Sequence, residues 1–251
     1  MLRTILIAGL SLPVKPLFAL AALYAALWLA AQLARRRGLD GDHLWNLGFI
    51  SASAAVVGAR LAYVAQFWPA YQADLLAIVS PRPGALAWTP GLVIGLLAGW
   101  VYVRRLRLPL LMVLDALAPA ALLGLTIMSL ADFLAGDAYG APTTLPWAIT
   151  VWGAARHPVQ LYQLGAQLLA LMIVLRRPAT LAGQRAWLSL FLYALSRLLC
   201  DAFRGDSLLL AGGFRAEQIV ALAVALLALP RVLRAAGYER RGSDDGSRNS
   251  A

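Results

Sequence analysis

Three polar side chains recur along one apolar stretch of this sequence, FLYALSRLLCDAFR, at a spacing that could serve chemistry. Tyr193, Arg197 and Asp201 are each four residues apart, which places them on one face of a helix, and Arg204 continues the row. Two interpretations remain open. The arginine and the aspartate form an internal ion pair that neutralises itself, or they form a cationic slot for an anionic lipid headgroup, with Asp201 holding the arginine in place.

A second polar group stands at the start of another apolar helix, in the stretch RHPVQLYQ. Pro158 suits the first position of a helix, where its missing N–H is not needed. Arg156 and His157 therefore lie at the mouth of this helix, while Gln160 and Tyr162 enter it. The group is either polar decoration of a membrane interface or part of a site.

Three further polar residues interrupt apolar stretches. Arg60, in VVGARLAYV, either extends to the membrane interface or faces inward, where Gly58 and Ala59 would permit close helix packing. For Asp115, near one end of its stretch, a structural role is favoured. Cys200 is interpreted as a small apolar filler. Because it is the only cysteine, an intramolecular disulfide is excluded.

The elements that must position these residues are membrane-spanning helices. Hydrophobic residues make up 61% of the 251 residues and charged residues 14%, against about a quarter charged in soluble domains. The apolar blocks are long enough to cross a bilayer, which takes about 20 helical residues. We therefore predict an all-α integral membrane protein with seven spans, at 16–34, 44–66, 85–103, 108–131, 158–175, 186–204 and 216–230. Residues 1–232 form this membrane domain, and 233–251 are expected to be a disordered cytoplasmic tail.

The basic residues predict the orientation of these spans. One set of helix ends carries fourteen arginines, whereas the other carries six basic residues: Arg3, Lys15, Arg82, Arg156, Arg204 and Arg215. The side richer in Arg faces the cytoplasm, so the N-terminus is expected outside and the C-terminus inside. The loops 67–84, 132–157 and 205–215 then face outward. Because the positive charge follows topology in this way, no nucleic-acid partner is expected despite the net charge of +10.

The polar stretches occur together and in order in one known family. GARLAYV, LAGDAYGAPTTLPWAI, RHPVQLYQ and YALSRLLCDAFRGDS resemble the signature segments of the bacterial prolipoprotein diacylglyceryl transferases. That family shows G-A-R-[LI]-x-Y, then G-R-x-G-N-F-x-N-G-E-x-[WY]-G, then R-H-P-S-Q-L-Y-E, then R-x-x-x-E-x-x-R. The resemblance extends from about Leu39 to Val232.

The resemblance implies an activity in the bacterial plasma (inner) membrane. The family transfers the diacylglyceryl group of phosphatidylglycerol to the lipobox cysteine thiol of a prolipoprotein and releases glycerol phosphate. The resemblance also implies two partners: phosphatidylglycerol, or another anionic lipid, and a prolipoprotein signal peptide. It implies no cofactor and no metal. Tyr193, Arg197 and Asp201 match the family's Tyr, Arg and Glu, and Asp137 and Gly140 match G-E-x-[WY]-G, with Asp for Glu in both motifs. Asp132 stands at the family's first Asn.

The implied roles follow from these matches and from the chemistry. Asp137 or His157 would act as the base, and Arg197, Asp201 and Tyr193 complete the expected catalytic set. The expected headgroup ligands are Arg60, Arg156, Gln160, Tyr162, Arg204 and Gly140. Five further family positions are substituted: Thr89 replaces a His, Ser129 an Arg, Ala135 an Asn, Leu17 a Tyr, and Gln163 the Glu after Q-L-Y.

Three hypotheses follow. The chain is a transferase of this family, or it is a non-catalytic lipid-binding or scaffold protein on the same fold. A small transporter is a third hypothesis, disfavoured because no internal repeat and no pair of broken helices is visible in the sequence.

Overall fold

The structure, a computed structural model, describes residues 4–7, 10–72, 74–79, 85–177, 180–210 and 215–248; for 5–7, 10–12 and 238–248 it describes the backbone alone. Two of the basic residues used in the charge comparison, Arg3 and Arg82, lie outside the described residues. The chain divides into two compact units. The first unit comprises Met1–Leu33 and Leu114–Ala251, and the second comprises Ala34–Val113.

Helices dominate the described chain. The helices are α1 (Val14–Arg35), α2 (Asp42–Gln66), the short α3 (Trp68–Tyr71), α4 (Trp88–Arg105), α5 (Leu110–Ala135), α6 (Val159–Arg176), α7 (Gln184–Cys200) and α8 (Ala216–Arg248). Two 3₁₀ turns, Leu75–Ile78 and Asp201–Phe203, follow α3 and α7. Two small antiparallel hairpins pair β1 (Thr4–Ile7) with β2 (Leu10–Pro13) and β3 (Ile149–Val151) with β4 (Ala154–Arg156).

An integral membrane protein is the class that these helices support. Six of them are long and apolar enough to cross a bilayer, and each overlaps a predicted span. The helix α4 lies where the third span is predicted but is not among these six within the described residues, so the count of seven spans stays a prediction. Leu96 and Leu226 illustrate the apolar outer surface, with 65% and 59% of their surfaces exposed. Apolar side chains on the outer surface suit a bilayer, in which the polar backbone groups must find their hydrogen-bond partners within the protein.

Glycines allow close helix packing in the second unit. Gly91, Gly95 and Gly99 recur every four residues on α4 and face α2. A Cβ at Gly95 would lie 2.7 Å from the carbonyl oxygen of Ser51, and one at Gly91 would lie 2.6 Å from that of Ala55. The two backbones therefore approach as closely as small-residue motifs permit.

The first unit has its apolar core between α5, α6 and α7. Leu122, Ala170, Leu171 and Val174 form the buried cluster, and Tyr193 packs against it. Asp115, which is 1% exposed, accepts hydrogen bonds from the backbone N–H groups of Gly183 (2.8 Å) and Ala186 (2.9 Å). These donors open α7 and have no intrahelical partner, so the expected structural role of Asp115 is confirmed.

The helix α8 extends into the C-terminal segment, 233–251, whose expected disorder stays a prediction. The helix α8 continues to Arg248 and includes most of 233–251. Arg and Ala, both strong helix formers, are frequent after Pro230, and no later proline interrupts the helix. The division into a membrane domain and a cytoplasmic tail stays a prediction.

Candidate functional site

Asp201 is the centre of a buried polar network at the end of α7. Its side chain is 0% exposed, and its Oδ2 lies 2.9 Å from Nε of Arg197. The side-chain amide of Gln163, on α6, donates to its Oδ1 at 3.0 Å. The expected contact between Arg197 and Asp201 is confirmed, although the helix ends at Cys200 and Asp201 begins the following 3₁₀ turn.

The guanidinium of Arg204 contacts two carboxylates. Its Nε and Nη2 both donate to Asp206 at 2.9 Å, and its Nη1 lies 3.9 Å from Oδ1 of Asp201. The hydrogen bond with Asp206 raises the pKa of the Arg204 guanidinium above its usual range, with burial opposing the change. A two-pronged contact of this kind fixes the direction of the guanidinium plane. Arg204 therefore carries its charge permanently but has less of its hydrogen-bonding capacity to offer a ligand.

Aromatic rings surround His157 at the mouth of α6. The His157 ring centroid lies 5.1 Å from that of Phe203 and 6.2 Å from that of Tyr162. Its Nδ1 lies 3.5 Å from the Tyr162 hydroxyl, which accepts a hydrogen bond from Nε1 of Trp147 at 2.8 Å. The imidazole is therefore held on two sides by aromatic rings.

The segment after α5 packs directly on this mouth. A Cβ at Gly140 would overlap the backbone oxygen of His157 and lie 2.7 Å from its Cβ, so glycine is required there. Arg156 donates through Nη1 to the Gly140 carbonyl at 3.2 Å, and its Cζ lies 4.8 Å from the Tyr139 ring centroid. Arg156 and His157 therefore both lie against this segment.

Backbone pairing joins the same segment to the end of α7. Gly140 pairs with Arg204, and Ala141 donates its N–H to the carbonyl of Phe203 at 2.8 Å. Gln160, 1% exposed, donates its side-chain amide to the Asp137 carbonyl at 2.7 Å. The predicted residues of the first unit therefore belong to one contiguous region.

A cleft of about 380 Å³ opens between α7 and α8. Its polar lining includes Tyr193, Arg197 and Glu217, and its remaining walls are apolar: Leu190, Ala194, Ala216, Val220, Ala221 and Val224. The cleft therefore combines apolar walls with the Arg197 cation and the Glu217 carboxylate.

Sequence reasoning missed two polar groups. Lys15, at the start of α1, lies 2.9 Å from Asp132 and 2.7 Å from Asp137. On α6, Gln163 and Gln167 are 5% and 2% exposed and continue the face of the predicted Gln160, which is 1% exposed. The spacing of these glutamines, three and then four residues on one face of an apolar helix, was a signal that could have found them.

The predicted headgroup ligand Arg60 belongs to the second unit, where each of its three guanidinium nitrogens donates a hydrogen bond. Nε, Nη1 and Nη2 donate to the carbonyls of Ile78 (2.8 Å), Ala85 (3.0 Å) and Ala77 (2.6 Å). Its Cζ also lies 5.5 Å from the centroid of the Tyr71 ring. These contacts hold the segment after α3, and a headgroup role for Arg60 stays a prediction.

The substituted family positions have ordinary surroundings. Ser129 is buried and donates to Oε1 of Gln167 and to the Leu125 carbonyl, both at 3.1 Å. Ala135 is buried, Leu17 half-buried and Thr89 exposed. Ser129 therefore serves the contact between α5 and α6 and supplies no charge.

The sequence was compared with protein families and with proteins of known name. A family model described as prolipoprotein diacylglyceryl transferase matches residues 5–233. Three proteins named phosphatidylglycerol–prolipoprotein diacylglyceryl transferase are similar to the chain. The one from Finegoldia magna is 33% identical over 199 residues, 78% of this chain and 80% of that protein. The one from Synechocystis sp. is 35% identical over 217 residues (79% and 76%), and the one from Geobacillus kaustophilus is 32% identical over 235 residues (87% of each). The family that the motifs resemble is thus confirmed, and this chain belongs to the prolipoprotein diacylglyceryl transferases.

Proposed function

We propose that this chain transfers the diacylglyceryl group of phosphatidylglycerol to the lipobox cysteine thiol of prolipoproteins. The observation that carries the proposal is the Arg197–Asp201 pair, held by Gln163 and bordering an apolar cleft. Membership of a transferase family supports the reaction class. In the reaction a carbon–sulfur bond forms, the carbon–oxygen bond to phosphate breaks, and glycerol phosphate leaves.

Arg197 and Arg156 are the cations that we assign to the phosphate. Asp201 occupies the Nε side of the Arg197 guanidinium, and within the described chain Nη1 and Nη2 have no other partner. Arg156 contacts two backbone carbonyls and a ring but no carboxylate among the described residues, so its charge is uncompensated. Fixed cations of this kind stabilise the charge that develops on a departing phosphate.

Asp137 is our candidate for the base that accepts the thiol proton as the carbon–sulfur bond forms. Its carboxylate lines a second cleft, of about 360 Å³, with Pro13, Lys15 and Ala135, so a substrate can approach it. The thiolate, not the thiol, is the nucleophile. His157 is the alternative base, and comparing Asp137→Asn with His157→Gln decides between them.

The other predicted ligands act less directly in this proposal. Tyr193 lines the cleft where the acyl chains would lie. Gly140 and Gln160 hold the backbone around Asp137, while Tyr162 orients His157. Arg204 compensates the charge of Asp201 and Asp206.

We further propose seven spans in the bacterial inner membrane, with the N-terminus outside and the C-terminus cytoplasmic. The unequal arginine distribution supports this topology. Thr144 and Thr180, both exposed, lie in loops on opposite sides under this topology. In a Cys200→Ala background, a membrane-impermeant maleimide should label Thr144→Cys in spheroplasts but Thr180→Cys only after permeabilisation. The opposite pattern would reverse the topology.

The activity is tested with purified protein, phosphatidylglycerol and a lipobox peptide. We expect a thioether-linked diacylglyceryl peptide by mass spectrometry, with one glycerol phosphate released per product. A peptide with serine in place of the cysteine is the matched control and should give neither. Lipid binding without product would favour the non-catalytic scaffold and refute the proposal.

A further inference from the structure

Lys15 stands out chemically in this chain. It is the only lysine among 22 basic residues, and the other 21 are arginines. Its ammonium group contacts two carboxylates at once, Asp132 at 2.9 Å and Asp137 at 2.7 Å. A compact ammonium with three donors fits between two carboxylates more readily than a planar guanidinium does.

The contact joins three elements of the first unit. Lys15 lies in the first turn of α1, Asp132 in the last turn of α5, and Asp137 in the segment that follows α5. Within the described chain no other charged side chain contacts these three residues. One oxygen of each carboxylate contacts the same nitrogen, so these two oxygens lie less than about 6 Å apart, where their like charges repel each other.

We propose that Lys15 is a positioning residue, which holds the Asp137 carboxylate and directs it into the cleft beside it. The inference rests on the proposed function, in which Asp137 accepts the thiol proton. The Gln160 amide fixes the Asp137 backbone, and the Lys15 ammonium fixes its carboxylate and offsets the neighbouring charge of Asp132. Without the ammonium, the two carboxylates would face each other uncompensated.

Four variants test this role by transfer kinetics. Lys15→Met should lower kcat at least about tenfold, with KM for phosphatidylglycerol changed less than about threefold. Lys15→Arg should retain more activity than Lys15→Met because it keeps a cation, and less than the wild type because a planar guanidinium fits less readily between the two carboxylates. Lys15→Met/Asp132→Asn should recover to within about threefold of the Asp132→Asn single variant, since the repelling charge is gone.

Chemical modification of the folded protein avoids any defect in folding. The Lys15 side chain is 42% exposed, so reagents can reach it. Acetylation, which removes the charge, should inactivate the wild type and spare Lys15→Arg. Reductive methylation, which keeps the charge, should spare both. The N-terminal amine reacts equally in the two proteins and serves as an internal control.

The outcomes separate the two proposals. Absence of transfer by the unmodified wild type would refute the proposed function. Transfer by the wild type, with the same kcat in Lys15→Met or no recovery in the double variant, would overturn the role of Lys15 and leave the proposed function standing.

Discussion

The substitution Arg197→Ala is expected to lower both the stability of the protein and its transfer activity. It removes the guanidinium that lies 2.9 Å from the fully buried carboxylate of Asp201. The carboxylate then keeps the Gln163 amide at 3.0 Å and Nη1 of Arg204 at 3.9 Å. One strong partner is lost and two weaker ones remain.

Two magnitudes follow from this geometry. Removing one partner of a buried ion pair costs about 3–5 kcal/mol of folding free energy, and we expect the lower end because Gln163 and Arg204 remain. Losing one charge-assisted phosphate contact costs about 1.5–3 kcal/mol, equivalent to roughly a 10- to 150-fold loss of transfer. The loss is larger if the contact strengthens in the transition state.

A double variant distinguishes these effects. In Arg197→Ala/Asp201→Asn the uncompensated charge is gone, while the asparagine oxygen still accepts from Gln163. Unfolding in detergent micelles should show most of the stability recovered, and the peptide assay should show transfer still lost. Arg35→Ala is the control, because Arg35 and Asp42 are 50% and 75% exposed and such pairs contribute about 0–1 kcal/mol.

One result would refute this reasoning. If the double variant regains both stability and transfer to within about threefold of the wild type, Arg197 serves only to neutralise Asp201. The phosphate would then need another cation, and Arg156→Met would be the next variant to measure.

Three further substitutions have defined outcomes. Gly140→Ala should cost about 1–3 kcal/mol through overlap with His157 and lower transfer, and thermal unfolding with the peptide assay would check both. Asp115→Ala should cost about 1–2 kcal/mol by uncapping α7, while the folded fraction keeps its specific activity; a proportional loss of activity per folded molecule would contradict this. Gly95→Ala should lower the melting temperature because its Cβ would meet α2, whereas Gly165→Ala, with open space around it, should leave it equal or higher.

Much of the fold could be predicted because hydropathy and helix length act locally along the chain. Each of the six long apolar helices overlaps a predicted span, and α4 lies where the remaining one was expected. The small hairpins and the extension of α8 were not anticipated. Hairpins this short have too few residues for a period-two pattern, and the polar composition of the C-terminal segment outweighed its helix-forming residues.

The candidate site could likewise be predicted only where its contacts are local in the chain. The spacing of Arg197 and Asp201 on one helix determined their contact, because residues four apart must lie on one helical face. The partners supplied by other elements could not be derived that way: Gln163 reaches Asp201 from α6, and Lys15 reaches Asp137 from α1. Sequence motifs place residues on elements, but which polar groups meet across elements depends on the packing of helices far apart in the chain. That packing also engages Arg60 with carbonyls and Ser129 with Gln167, and neither contact follows from residue type alone.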